Sequence, residues 1–210
     1  MEEQLKTGTT TVGIACKDGV VLAADTRATA GTMIVDKQAE KVHILSDDFA
    51  CTIAGSVSEA QLLIKLVKAE LKLKEVRTNK SASVKEAANL LGGLLYSSLR
   101  RMSMFPCIAH FLLGGKDASG VYLYDLFPDG SVTKIKDFVS SGSGSVFAYG
   151  VLETQYKEGL SVEEGIKLAV RCVNTALQRD SASGNGVTVV VVTELGIKKV
   201  LQKEASITLY

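Results

Sequence analysis

The sequence lacks the features that would place this chain on nucleic acid, in a membrane or in a secretory pathway. Its net charge is only +1 and no run of like charge occurs, so we expect neither a nucleic-acid partner nor an acidic membrane partner. The most apolar helix-like stretch, residues 90–96, is too short to span a bilayer. Residues 1–8 contain two glutamates and no apolar block, which is not typical of a secretory signal.

Histidine and cysteine are also sparse. The two histidines, His43 and His110, do not lie at metal-ligand spacing from a cysteine or carboxylate, so we expect no metal and no other cofactor. No C-x-x-C pair is present. The widely spaced cysteines in apolar surroundings predict reduced, buried thiols in a cytoplasmic protein. These cysteines are Cys16, Cys51, Cys107 and Cys172.

What the chain does contain is typical of one large globular domain. It has 210 residues, of which 46% are hydrophobic and 22% are charged. Short apolar or β-branched runs bounded by turn residues predict strands. These runs are residues 9–16, 20–24, 42–45, 49–53, 108–113, 121–126, 187–192 and 197–201. The run at 187–192 is apolar throughout, which predicts a central strand buried on both faces.

Helix starts are indicated by capping boxes, in which a serine is followed three residues later by a glutamate. The pairs are Ser56 with Glu59, Ser83 with Glu86, and Ser161 with Glu164. A further short helix is predicted over residues 146–156, and the first helix is predicted to be largely buried. Residues 114–120 are predicted to form a turn, and the Gly/Ser run 140–145 is by itself typical of one.

The order of the elements predicts the fold class. Strands are followed by two helices, further strands, two more helices and final strands, so helices occur in pairs rather than after each strand. This order favours an α+β fold in which two antiparallel sheets stack face to face with helix pairs on the outside. We expect a single domain without internal repeats.

Cleavage of the peptide bond between Gly8 and Thr9 would change the reactivity of Thr9. A threonine hydroxyl is a poor nucleophile without a base, but cleavage of this bond would give Thr9 a free α-amine with a pKa of about 8. Nucleophile and base would then belong to one residue.

Several segments, taken in order, resemble those of proteasome β subunits of the archaeal type, and the resemblance covers nearly the whole chain. It implies a four-layer αββα sandwich of the N-terminal nucleophile hydrolase type and a threonine endopeptidase. The matching segments are residues 8–13, 24–27, 40–41, 54–55, 141–144 and 179–184.

The resemblance also implies roles for individual residues. Thr9 would be the nucleophile, exposed by autolysis after Gly8, so that residues 1–8 are a propeptide and residues 9–210 the peptidase domain. Lys41 would lie beside the Thr9 hydroxyl, with Asp25 pairing with and orienting that lysine. The backbone N–H of Gly55 would bind the developing oxyanion. The first proton acceptor, either the amine or Lys41, stays open.

Two further sets of residues are implied. Ser143, Asp180 and Ser183 would surround the Thr9 amine and hydroxyl and hold a water. The pocket beside the scissile bond would be mostly small and apolar without an acidic residue, which predicts cleavage after hydrophobic residues. His43 in that pocket would add a weak preference for other residues. The pocket residues are Ala28, Ala39, His43, Ile53 and Val57.

The implied partners are other subunits and substrate. β subunits of this type form seven-membered rings between rings of proteasome α subunits, enclose unfolded polypeptide substrates and are fed indirectly by an ATPase unfoldase ring. Two alternatives are a non-catalytic structural β-type subunit and the bacterial two-tier threonine peptidase. The presence of Thr9, Asp25 and Lys41 disfavours the first. The segment 179–184 and the long central helices disfavour the second.

Overall fold

The computed structural model describes residues 8–102 and 108–204. In chain order the elements are β1 (Thr11–Cys16), β2 (Gly19–Asp25), β3 (Ala28–Ala30), β4 (Met33–Asp36), β5 (Val42–Ile44), β6 (Phe49–Gly55), α1 (Val57–Thr78), α2 (Val84–Leu99), β7 (Ala109–Asp117), β8 (Gly120–Leu126), β9 (Val132–Ile135), β10 (Phe138–Ser141), α3 (Ser145–Gln155), α4 (Val162–Arg179), β11 (Gly186–Thr193) and β12 (Gly196–Glu204).

Most of the strands form two five-stranded antiparallel sheets. The first has the order β10-β1-β2-β11-β12 and the second the order β5-β6-β7-β8-β9, while β3 and β4 pair as a separate hairpin. In the first sheet Thr11 pairs with both Ser141 and Ala24, and Asp25 pairs with Val187. The start of β1 therefore lies beside the ends of β10 and β2, which brings three chain segments to one edge.

The layers stack as helices, sheet, sheet, helices, which confirms the predicted αββα sandwich. One core lies between α1 and α2 and the second sheet, another between α3 and α4 and the first sheet, and a third between the sheets. Strand β11 shows why both faces of a central strand are apolar. Val189 and Val191 pack toward the helices, whereas Val190 and Val192 pack toward the second sheet.

Several local predictions were wrong. The strand predicted from residue 9 begins at Thr11, and β7 continues to Asp117 through most of the predicted turn at 114–120. The predictions omitted β3, β4, β9 and β10. Ser140 and Ser141, assigned to a Gly/Ser turn, are buried at the end of β10, where their hydroxyl groups bond to Thr11.

The capping predictions had mixed outcomes. Capping boxes at Ser83 and Ser161 are confirmed. Ser56 does precede α1, but its side chain makes no capping hydrogen bond. The Glu59 side chain accepts a hydrogen bond from Ser98 at the end of α2, so the predicted capping box is not formed. The predicted burial of α1 was also wrong, since only a stripe of the helix faces the core, formed by Ala60, Leu63, Ile64, Val67 and Leu71.

The three described cysteines, Cys16, Cys51 and Cys172, have free thiols, and burial raises the pKa of each to about 12. Cys107 lies outside the described residues. None of the helices described is long and apolar enough to cross a bilayer.

Candidate active site

A pocket of about 410 Å³ lies where the chain entering β1 meets the hairpin β3–β4 and the end of β6. It brings together the predicted nucleophile Thr9, Lys41 and Gly55. The five predicted pocket residues also line it, namely Ala28, Ala39, His43, Ile53 and Val57. Residues separated by almost fifty positions in the sequence therefore share one cavity.

Asp25 and Lys41 form a buried ion pair beside this pocket. Lys41 Nζ lies 2.8 Å from Asp25 Oδ1, and their exposed fractions are 6% and 0%. Asp25 also accepts hydrogen bonds from the backbone N–H groups of Thr10, Arg27 and Gly184 at 2.9–3.1 Å. Burial lowers the pKa of Lys41 below its ordinary value, although the adjacent Asp25 carboxylate opposes that change.

The hydroxyl of Thr9 and the amine of Lys41 meet at one atom, the carbonyl oxygen of Gly8. Thr9 Oγ1 donates to it at 2.6 Å and Lys41 Nζ donates at 3.2 Å. Gly8 is also held at its own nitrogen, which donates to Thr29 Oγ1 at 3.1 Å. Gly8 is therefore fixed at both its N–H and its carbonyl oxygen, with the Lys41 cation on that oxygen.

Asp180, the residue that caps the end of α4, organises a second group of polar side chains. Its Oδ2 accepts from Ser143 Oγ at 2.6 Å and from Ser183 Oγ at 2.7 Å. Ser143 Oγ in turn accepts from the backbone nitrogen of Thr9 at 3.3 Å. Ser143 thus contacts the nitrogen that would become an α-amine after cleavage at Gly8, and Asp180 and Ser183 are connected to that nitrogen through Ser143.

Gly55 ends β6 in a conformation that only glycine adopts readily. Its φ is +100°, and a Cβ there would lie 2.2 Å from the carbonyl oxygen of Ile108. Ser56, the next residue, is the N-cap of α1. The chain therefore turns directly from the pocket wall into a helix N-terminus, where N–H groups and the helix dipole favour negative charge.

The pocket wall is less uniformly apolar than predicted. Ala28, Ile53 and Val57 supply apolar surface, but Asp36 and Glu40 also line the cavity, so the expectation of a pocket without acidic residues was wrong. Glu40 Oε2 lies 3.9 Å from His43 Nδ1, and Glu40 Oε1 lies 3.8 Å from Lys199 Nζ. Burial lowers the pKa of His43, and its Nε2 is buried without a hydrogen-bond partner among the described residues.

Three residues around the site had no predicted role. Thr10 hydrogen-bonds to Ser183 as well as to Asp25, and Thr29 holds Gly8. Arg27 binds the loop after α4 through Ser181 O at 2.8 Å and Asn185 Oδ1 at 2.7 Å. Arg27 lies within residues 24–27, one of the segments that resemble the family, so its place near the site could have been predicted. Nothing in the spacing of the threonines distinguishes Thr10 or Thr29.

Metal binding has no support in the geometry of this site. Across residues 8–102 and 108–204, no three His, Cys, Asp or Glu side chains group in a way that could hold a metal ion. The polar groups of the site are instead arranged around the peptide bond between Gly8 and Thr9.

Comparisons with known proteins agree in the family they indicate. A family model described as proteasome subunit matches residues 5–192. The proteasome subunit beta of Methanocaldococcus vulcanius is 45% identical over 94% of this chain and 87% of its own length. The proteasome subunit beta of Methanopyrus kandleri is 43% identical over 96% of this chain and 95% of its own. The proteasome subunit beta of Methanothermobacter thermautotrophicus is 46% identical over 89% of this chain and 87% of its own length.

Proposed function

Since this chain belongs to the proteasome subunit family, we propose that it is a catalytic β subunit, a threonine endopeptidase whose nucleophile is the hydroxyl of Thr9. Residues 1–8 would be a propeptide and residues 9–210 the peptidase domain. One observation carries the proposal: the Thr9 hydroxyl and the Lys41 ammonium both contact the carbonyl oxygen of Gly8, at the bond that autolysis would cut.

In autolysis, Thr9 Oγ1 adds to the carbonyl carbon of Gly8, and the C–N bond to Thr9 breaks. The hydroxyl proton passes to the departing nitrogen, which leaves an ester and a free amine. Water then hydrolyses the ester and releases residues 1–8. The Lys41 cation, held by Asp25, stabilises the negative charge that develops on the Gly8 oxygen. The zymogen is thus inactive toward substrates until the Gly8–Thr9 bond is cleaved and residues 1–8 leave the pocket.

In substrate cleavage the same hydroxyl attacks a peptide carbonyl. Its proton passes to the free α-amine, whose reference pKa of about 8 suits a base near neutral pH, or through Lys41, whose pKa is lowered by burial. The N–H of Gly55 binds the oxyanion, while Ser143, Asp180 and Ser183 orient the amine. After the amine product leaves, an activated water hydrolyses the acyl ester.

We also propose that cleavage occurs mainly after hydrophobic residues, because Ala28, Ile53 and Val57 line the pocket beside the nucleophile. Asp36 and Glu40 support a minor activity toward basic residues. Fluorogenic peptides that differ only in the residue before the cleaved bond test this preference. Faster cleavage after basic residues would contradict it, and Glu40→Gln would then identify the responsible carboxylate.

Assembly follows from the family. The proposed partners are other β subunits in a seven-membered ring, α subunits and, indirectly, an ATPase ring, and the substrate is unfolded polypeptide in an enclosed chamber in the cytoplasm. The competing proposals are a structural β-type subunit and a bacterial two-tier peptidase. The buried Asp25–Lys41 pair beside Thr9 favours catalysis over the first. Ring symmetry in electron micrographs would distinguish the second.

The decisive experiment is the intact mass of the subunit after co-expression with an α subunit, for the parent, Thr9→Ala and Thr9→Ser. We expect loss of residues 1–8 and peptidase activity in the parent and, more slowly, in Thr9→Ser, which keeps a hydroxyl. Thr9→Ala should retain the leader and show no activity. Retention of the leader by an assembled parent would overturn the catalytic proposal in favour of a structural subunit.

A further inference from the structure

Thr10 is buried between the two polar groups of the candidate site and bonds to both. It has no exposed surface. Its backbone N–H donates to Asp25 Oδ1 at 2.9 Å, and its carbonyl oxygen accepts from Asp25 N at 3.1 Å. Its hydroxyl lies 2.7 Å from Ser183 Oγ, on the side of Asp180. One residue therefore touches the Asp25–Lys41 pair through its backbone and the Asp180 group through its side chain.

The direction of the hydroxyl hydrogen bond follows from counting hydrogens. Ser183 has one hydroxyl hydrogen, which it donates to Asp180 Oδ2 at 2.7 Å. The Thr10 hydroxyl must therefore donate to Ser183 rather than accept from it. The result is a continuous series of hydrogen bonds that converges on Asp180, from Thr9 N through Ser143 on one side and from Thr10 through Ser183 on the other.

The space around this hydroxyl is closed. A Cβ built on Gly144 would lie 1.9 Å from Thr10 Oγ1 and 3.1 Å from Asp180 Oδ2, so the loop after β10 packs directly against both groups. Thr10 is fully buried, so this hydroxyl is not in contact with bulk water. The position of Ser183 therefore depends on the donor that Thr10 supplies.

We propose that Thr10 is a positioning residue for the Thr9 amine, acting through Ser183, Asp180 and Ser143. This inference rests on the proposed function of Thr9. Without the Thr10 donor, Ser183 is free to turn its own hydrogen away from Asp180, and the carboxylate then loses one of the two hydroxyl groups that fix Oδ2. Ser143, and with it the Thr9 nitrogen, is held less tightly in the orientation needed for proton transfer.

The test compares Thr10→Val, which keeps shape but loses the hydroxyl, with Thr10→Ser, which keeps the hydroxyl. The matched control is Thr11→Val. Thr11 is equally buried and its hydroxyl bonds to Ser141 Oγ at the same 2.7 Å, so this variant loses a similar hydrogen bond outside the Asp180 group. Activity toward a hydrophobic fluorogenic peptide is normalised to the fraction of subunits that have lost residues 1–8.

For Thr10→Val we expect kcat to fall about 10- to 100-fold, because a misplacement of about 1 Å at a reacting group can cost about 100-fold, with KM changed less than about threefold. Thr10→Ser and Thr11→Val should keep kcat within about threefold of the parent. If Thr10→Val does not assemble, Thr10→Ala, which also lacks the hydroxyl but is smaller, takes its place and should show the same loss of kcat.

Two results would overturn the inference, and they are distinguishable. If the parent is processed and active but the kcat of Thr10→Val, or of Thr10→Ala in its place, matches that of Thr11→Val, the positioning role is wrong and the proposed function stands. If the assembled parent keeps its leader and cleaves nothing, the proposed function fails and the role of Thr10 fails with it.

Discussion

Lys41 Nζ lies 2.8 Å from Asp25 Oδ1, with both side chains nearly inaccessible to solvent. The same carboxylate also accepts three backbone N–H groups, so all its lone pairs face donors. An asparagine in its place would offer one oxygen and turn an NH₂ group toward those donors. The pair is therefore a single structural and chemical unit, and its removal should affect both stability and activity.

We expect Asp25→Asn to lower the free energy of unfolding by about 3–5 kcal/mol, because it leaves the buried Lys41 cation without its counter-charge. Peptidase activity should fall on the order of 100-fold or more. The control is Asp48→Asn, which breaks the more exposed Lys116–Asp48 pair and should cost about 0–1 kcal/mol. Urea unfolding and peptide hydrolysis measure the two effects. Equal destabilisation by the two variants would contradict the prediction.

Gly8→Ala should slow removal of the leader. A Cβ on Gly8 would lie 1.8 Å from the Cβ of Ala182, so the Gly8 carbonyl must move away from Thr9 Oγ1. The double variant Gly8→Ala/Ala182→Gly removes the closest contact and should recover part of the processing rate. Recovery should be incomplete, because the new Cβ would still lie 2.7–2.8 Å from the backbone Cα and O of residue 182. Gly150→Ala, where nothing lies within 4 Å, is the control. Intact mass followed over time reports the rate. Processing of Gly8→Ala at the parent rate would show that this contact is unimportant.

His43 should make the protein less stable in mild acid. Burial lowers its pKa from about 6.5, with Lys68 and Lys199 acting in the same direction and Glu40 opposing them. As pH falls through 6.5 toward the lower folded pKa, the unfolded chain binds the proton first, so stability is lost. In a Thr9→Ala background, the parent should lose more unfolding free energy between pH 7.5 and 5.5 than His43→Gln. Identical pH profiles would refute this assignment.

The helix caps should differ in energetic importance. Ser83→Ala removes a side-chain acceptor for the N–H of Glu86 and should cost about 1 kcal/mol. Ser56→Ala should cost at most a few tenths, because the Ser56 side chain makes no capping hydrogen bond. Urea unfolding in the Thr9→Ala background compares them. A larger loss for Ser56→Ala would mean that this serine stabilises α1 in another way.

Whether a feature could be predicted from the sequence depended on how far apart its interacting residues lie along the chain. The capping boxes at Ser83 and Ser161 were predictable because both partners lie within three residues, whereas Glu59 was not, since its partner Ser98 is 39 positions away. The sandwich was predictable from the order and pairing of elements. Strands β3 and β4 were missed because they are only three and four residues long, too short to show the alternating pattern that predicts a strand.

The sequence alone determined the fold class, the central strand β11 and, through resemblance to a family, which residues are proposed to form the site. Only the tertiary structure decided how those residues are held. Asp36 and Glu40 line the pocket, and Ala182 occupies the space beside Gly8. Thr10 bonds to two polar groups that are far apart in sequence. The physical reason is that periodicity and capping are local properties of a chain, whereas burial, close contact and hydrogen-bond direction depend on which distant segments meet.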